Sequence, residues 1–228
     1  MGVPLSTLRT EVRQRADMTD SDFVTDSELN NYINKAWAEL YDILVTTYED
    51  YFTEGPNSFT LAAGESTYDL PDDFYKLRGV DFKTGGQNEF STLYPFTFKE
   101  RNEQTSGLRR WPFGLADIRY RLVKNTLRFI PEDSAQGDYQ LWYIPAANTL
   151  SDDADEMDGV NGWEDYVVVS ATIRCLEKEE TDTVNLRNEL RMLKTRIEDS
   201  AANRDAGQPE RIEDVNTSIY RPGYWDWD

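Results

Sequence analysis

Twice along this chain the spacing of its hydrophobic residues changes, and that change constrains the fold more than any single motif. Up to about residue 50 apolar residues recur every three or four positions. Through FTLAAGESTYDLPDDFYKLRGVDF, Phe59 to Phe82, they alternate with small or polar ones, and from about residue 160 the three-and-four step returns. A stretch with helical spacing and an alternating stretch cannot form the same kind of element, so the pattern predicts helices on either side of a β-rich insert. Within the central stretch, Phe59, Leu61, Tyr68 and Leu70 flank Ala63-Gly64-Glu65, which predicts a short hairpin that Pro71 ends. Tyr75 to Phe82 predicts a further extended run, with Leu77, Val80 and Phe82 apolar and Gly79 at a bulge.

Leu5, Leu8, Val12 and Ala16 predict a first helix over 6–16, with Arg9, Arg13 and Arg15 on its wet face. Thr25-Asp26-Ser27-Glu28 has the form of a capping box, in which the threonine oxygen accepts an orphan amide and Glu28 reaches back to the cap. It opens a long helix running to about Asp50, with Leu29, Ile33, Ala36, Trp37, Leu40, Leu44 and Tyr48 as its apolar stripe. Beyond the hairpin, Gly85-Gly86 marks a turn, Pro95 the first residue of a short helix, and Trp111-Pro112-Phe113-Gly114 a loop packed under the sheet. Strands are predicted over 118–123 and 126–130 around Lys124-Asn125, and over 139–144; connections this short favour antiparallel pairing. Asn161 and Glu164 read as the cap and capping-box acid of a third helix. Asp182 opens a fourth, whose seam is Leu186, Leu190, Leu193 and Ile197, paired antiparallel with the third. The expected fold class is therefore α+β: mainly a helical bundle of about four helices (1–50 and 160–204), an inserted small antiparallel β domain (51–159) and an extended C-terminal arm (205–228).

Composition removes several functions. The 228 residues contain no histidine, so triads of the usual kind, zincin motifs and imidazole acid-base chemistry are excluded. A net charge of −19 opposes wrapping nucleic acid or docking on an anionic membrane. One cysteine, Cys175, cannot form an internal disulfide, which fits a reducing cytoplasm, and its helical position predicts a small core residue. No apolar run approaches the roughly 20 residues a bilayer requires, and the N-terminus has no signal-peptide pattern. The acidic run SDDADEMD, Ser151 to Asp158, fails as a calcium loop, because placing Gly159 sixth puts Ala154 first; it reads as a solvated loop. Asp72 with Asp73, or Glu164 with Asp165, are the carboxylate pairs that a peptidoglycan-cleaving or metal-dependent enzyme would use, yet adjacent acids among 43 arise by chance. Tyr94, Trp111, Tyr120 and Trp142 are the residues a carbohydrate-binding module would stack on, against a plain role in the core. No catalytic, cofactor or metal site is expected.

The final ten residues, IYRPGYWDWD, are more aromatic than a free tail requires. Tyr220, Tyr224, Trp225 and Trp227 would each bury about 150 to 250 Å², either by folding back on their own domain or by docking on another chain. Arg221 would pair with a carboxylate or stack on an aromatic ring in either case.

Taken with the segment FTL to YDLPDDFYKL, VNGWEDYVVVSATIRCLEKEE (Val160 to Glu180) and NRDAGQPE (Asn203 to Glu210), the chain resembles the head-to-tail adaptor, or connector, proteins of tailed bacteriophages. That resemblance covers almost the full length and rests on the order of the pieces. It implies a structural virion protein, made in the host cytoplasm, whose copies form a ring, commonly of twelve, beneath the portal. It further implies a C-terminal arm reaching the portal, a downstream tail or nozzle protein at the other end, and genomic DNA passing through the lumen without specific binding. Portal docking is thereby carried to Tyr220, Tyr224, Trp225 and Trp227, with Arg221 beside them, and no membrane or cofactor is implied. Carboxylates from Asp152 to Asp158 are expected to make the channel or outer rim electronegative.

Overall fold

A computed structural model describes residues 2–19, 23–85, 89–105, 118–158 and 160–203. Its helices are α1 (Leu5–Arg15), α2 (Asp26–Thr47), α3 (Glu164–Lys178) and α4 (Val184–Ala202). The predicted stripes of the first two face one core: Leu5, Leu8 and Val12 meet Leu29, Ile33, Ala36, Trp37, Leu40 and Leu44 there. α3 is buried almost all round, from Tyr166 through Ile173 and again at Cys175, which makes it the central helix. Thr25 caps α2, its hydroxyl oxygen accepting the Glu28 amide at 3.3 Å. The other half of the box is not made. Glu28 instead accepts from the Tyr32 hydroxyl (2.8 Å) and from Lys178 Nζ (2.7 Å), so the acid ties α2 to the end of α3. The third helix also starts later than the sequence suggests: a 3-10 turn, Val160–Gly162, precedes it, and Trp163 occupies the cap position. In α4 only Ile197 of the predicted seam is fully buried; Leu186, Leu190 and Leu193 are half-buried, so this helix lies at the periphery.

Ten strands lie between and beside these helices among the described residues: β1 (Gly2–Pro4), β2 (Glu54–Leu61), β3 (Thr67–Asp69), β4 (Phe74–Lys83), β5 (Phe90–Thr92), β6 (Tyr94–Pro95), β7 (Arg119–Val123), β8 (Thr126–Ile130), β9 (Gly137–Pro145) and β10 (Glu156–Asp158). They form a four-stranded sheet β2-β9-β4-β5, a second four-stranded sheet β3-β8-β7-β6, and the pair β1-β10. This overturns the expected helical bundle with a small β insert, because the β part is substantial. The physical reason is that the two larger sheets bury a core of their own, including Leu61, Val80, Leu127, Phe129, Tyr139 and Leu141.

The predicted hairpin at Phe59 to Leu70 is also corrected. β2 pairs with β9 and β3 with β8, so the turn at Gly64 carries the chain from one sheet to the other instead of pairing its two arms. The alternation was real, but the inward residues meet across the sheets: the Phe59 and Tyr68 rings stack at 3.8 Å, and Phe59 stacks on Tyr139 at 5.2 Å. Pro95 sits in a short strand parallel to β7, and the helical turn begins only at Phe98, in the 3-10 segment Phe98–Thr105. By contrast, the register shift between Leu77 and Gly79 is the expected bulge, and the Lys124-Asn125 turn joins β7 to β8.

β9 couples the two cores, since Tyr139, Leu141 and Tyr143 enter the β core while the next residue, Ile144, enters the helical one. Around its end the Tyr41 hydroxyl donates to the Pro145 carbonyl (2.7 Å), and the Trp37 indole to Asn148 Oδ1 (3.1 Å). The acidic run then closes on the start of α1. Its Asp155 and Asp153 carbonyls accept the Leu5 and Ser6 amides at 2.9 and 3.3 Å, satisfying two donors of a helix whose cap residue, Pro4, supplies no side chain for them. The Asp155 carboxylate accepts the Ser151 and Asp152 amides, which hold its pKa below the usual value. The exposed side chains of Asp152 and Asp153 fit a solvated loop, while its backbone has a structural use that periodicity did not reveal.

Candidate functional site

Tyr220, Arg221, Tyr224, Trp225 and Trp227 lie outside the described residues, as does Trp111. The other residues nominated from sequence are scattered. Asp73 accepts from the Tyr143 hydroxyl at 3.1 Å, at the start of β4. Glu164 and Asp165 form the first turn of α3, where negative charge suits the helix dipole. Tyr120 is buried, Trp142 lies in the other sheet with its indole donating to Asp81 of the neighbouring strand (2.8 Å), and Tyr94 is 74% exposed at a sheet edge, so these rings form no common platform. Among the described residues no group of three or more His, Cys, Asp or Glu side chains is arranged to hold a metal ion. Burial pushes the Cys175 thiol up to about 11, which leaves it a protonated core residue at neutral pH.

Two surfaces have the chemistry of interfaces. The first is the rim of the insert along β6 and the 3-10 turn after it. Tyr94 and Phe98 are 74% and 63% exposed, and Phe98 has the Arg101 guanidinium over its ring at 4.4 Å and that of Arg121 at 5.9 Å. The fold holds both arginines through carbonyls: Arg101 donates to Phe98 O (2.8 Å) and Arg121 to Phe96 O (3.1 Å). Neither meets a carboxylate among the described residues, although the chain has 43 acids to 24 bases. Exposed aromatics beside arginine are the residue types enriched at protein interfaces.

The second surface is the flank where α1, the start of α3 and α4 converge. Glu11 faces Glu164 and Asp165; burial first, and then those two charges, raise its pKa above the ordinary 4.5. Arg15 pairs with Glu189 at 2.5 Å and Arg196 approaches Asp165 at 3.9 Å, so α4 is joined to both partners. Met192 stands on α4 between Glu189 and Arg196 and is 74% exposed. Sequence reasoning missed both surfaces. The PFTFKER stretch carried a signal, two phenylalanines and an arginine within six residues, but reading it as a helix begun by Pro95 hid the exposed ring.

A family model described as SU10 adaptor protein matches residues 3–213. The match takes in all four helices and both larger sheets and ends before the aromatic residues at 220–227. No curated protein matches the chain.

Proposed function

We propose, from the premise that the chain belongs to the SU10 adaptor protein family and is a structural component of the phage head-to-tail junction, that its copies close into a ring beneath the portal and leave a channel for DNA. The carrying observation is the family match across both cores. Two physical features support it. The helical half is a rigid unit for lateral packing, and a net charge of −19 disfavours trapping DNA that must slide through. The arm over 205–228 reaches the portal and docks through Tyr220, Tyr224, Trp225 and Trp227, with Arg221 pairing or stacking beside them. Twelve arms acting together would need only a modest contact each, through effective concentration. A tail or nozzle protein seats on the opposite end of the ring, and Asp152 to Asp158 contribute to the negative potential of the channel or rim.

Electron microscopy and native mass measurement, with and without the portal of the same phage, test this. Weak self-association alone and a closed ring on the portal are expected. Cutting the chain after Gln208 should abolish docking while both cores stay folded. A truncated chain that still crowns the portal would remove the arm from the proposal, and a portal left bare by the full chain would remove the ring.

A further inference from the structure

We propose that the ring is closed by a head-to-tail contact in which the insert rim of one copy, Phe98 with Arg101 and Arg121, seats on the helical flank of the next, around Met192. This rests on the ring reading and specifies its lateral interface. The charges of the two surfaces are complementary, with two arginines grouped at the rim and carboxylates in excess of cations at the flank. At the rim two guanidiniums converge on an exposed ring with no carboxylate to meet among the described residues. At the flank Glu11 feels the charges of Glu164 and Asp165, and Arg196 lies 3.9 Å from Asp165. One Glu164 oxygen is buried there with no hydrogen-bond partner among the described residues. Guanidinium and carboxylate pair by charge-assisted hydrogen bonds, and the two exposed apolar side chains, Phe98 and Met192, supply an aromatic-thioether contact at the centre.

The placement of the two surfaces decides the symmetry. They belong to different parts of the chain, one on the insert and one on the helices, so a pair of copies using one contact leaves a free rim at one end and a free flank at the other. Such a heterologous contact propagates, and it yields a ring when the rotation closes. A second copy is favoured over nucleic acid as the occupant because the rim offers an exposed apolar anchor, and because the anionic complement stands on the chain itself.

Charge reversal with rescue provides the test, in the full chain assembled on its portal and counted as rings by electron microscopy. Arg101→Glu with Arg121→Glu, and separately Glu11→Arg with Glu164→Arg, should each lower ring occupancy on the order of tenfold. Mixing the two reversed chains should restore rings in which they alternate, each acidic rim seating on a basic flank and each unaltered rim on an unaltered flank, and one chain carrying all four substitutions should restore them as well. Normal rings from either reversed chain would overturn the contact while leaving the ring reading intact, and would assign the rim to another virion protein. Loss in both reversed chains without rescue in the fourfold variant would overturn it as well. Failure of the unsubstituted chain to form rings would sink the ring reading, and this contact with it.

Discussion

Two carboxylates near the start of the helical half are driven in opposite directions, and their contributions to stability must therefore change with pH in opposite senses. A hydrogen bond from Arg13 holds Asp26 below the ordinary 3.8, whereas burial and the charges of Glu164 and Asp165 hold Glu11 above 4.5. Asp26 binds its proton less readily in the fold than in the unfolded chain. Its stabilisation is complete above 3.8 and is lost as pH falls through the depressed folded value. Glu11 binds its proton more readily in the fold, so its ionisation destabilises above the raised value and not below 4.5. Urea midpoints should show Asp26→Asn less stable and Glu11→Gln more stable than the parent at about pH 7, each by under about 1 kcal/mol because solvent reaches both sites. The gain in Glu11→Gln should vanish once the pH is brought below 4.5. A gain that persists there would mean that the carboxylate's shape, and not its charge, is responsible.

Elements whose signals are local were legible in the sequence; those that depend on distant partners were not. The Thr25 cap, the stripe of α2 from Leu29 to Leu44 and the Lys124-Asn125 turn each involve residues a few positions apart, and each is where the spacing placed it, although the helix ends at Thr47 and Tyr48 lies past the core. Alternation predicts that β2 pairs with its neighbour, because a hairpin is the shortest way to pair an alternating run, yet its partner is β9, with Phe59 opposite Tyr139. Nothing in the alternation distinguishes pairing within one sheet from stacking between two, since both put Phe59 and Tyr68 on an inward face. The insert rim was illegible for a related reason: exposure of Phe98 depends on where β6 ends beside β7. In α4 the periodicity was right and the depth of burial was not. Ile197→Ala should cost about 2–5 kcal/mol, as for a fully buried aliphatic side chain. Leu190→Ala, at a half-buried place on the same seam, should cost under about 1.5 kcal/mol. Chemical denaturation of the two variants checks the ranking, and equal losses would require a neighbour on the outer side of α4.

At the scale of the whole molecule, the decisive question is whether the helical and β cores melt together. Each buries its own hydrophobic cluster, which by itself would allow two transitions. Three connections oppose that. β9 carries side chains into both cores, Tyr41 and Trp37 are hydrogen-bonded to the segment leaving β9, and the 151–158 loop supplies the carbonyls that begin α1. Losing the β core would free the end of β9 and with it Ile144, a fully buried member of the helical core. Phe129→Ala, deep between the sheets, should therefore cost about 3–5 kcal/mol and shift the helical signal by the same amount. Far-ultraviolet circular dichroism at the helix band reads the helices, and fluorine NMR of incorporated fluorotyrosine, followed at Tyr68 and Tyr139, reads the aromatic cluster between the sheets. Coincident midpoints that move together in the variant are expected. A helical midpoint that stays in place while the aromatic one falls would mean that the insert unfolds by itself, and that the contacts around Pro145 and Asn148 are too weak to couple the halves.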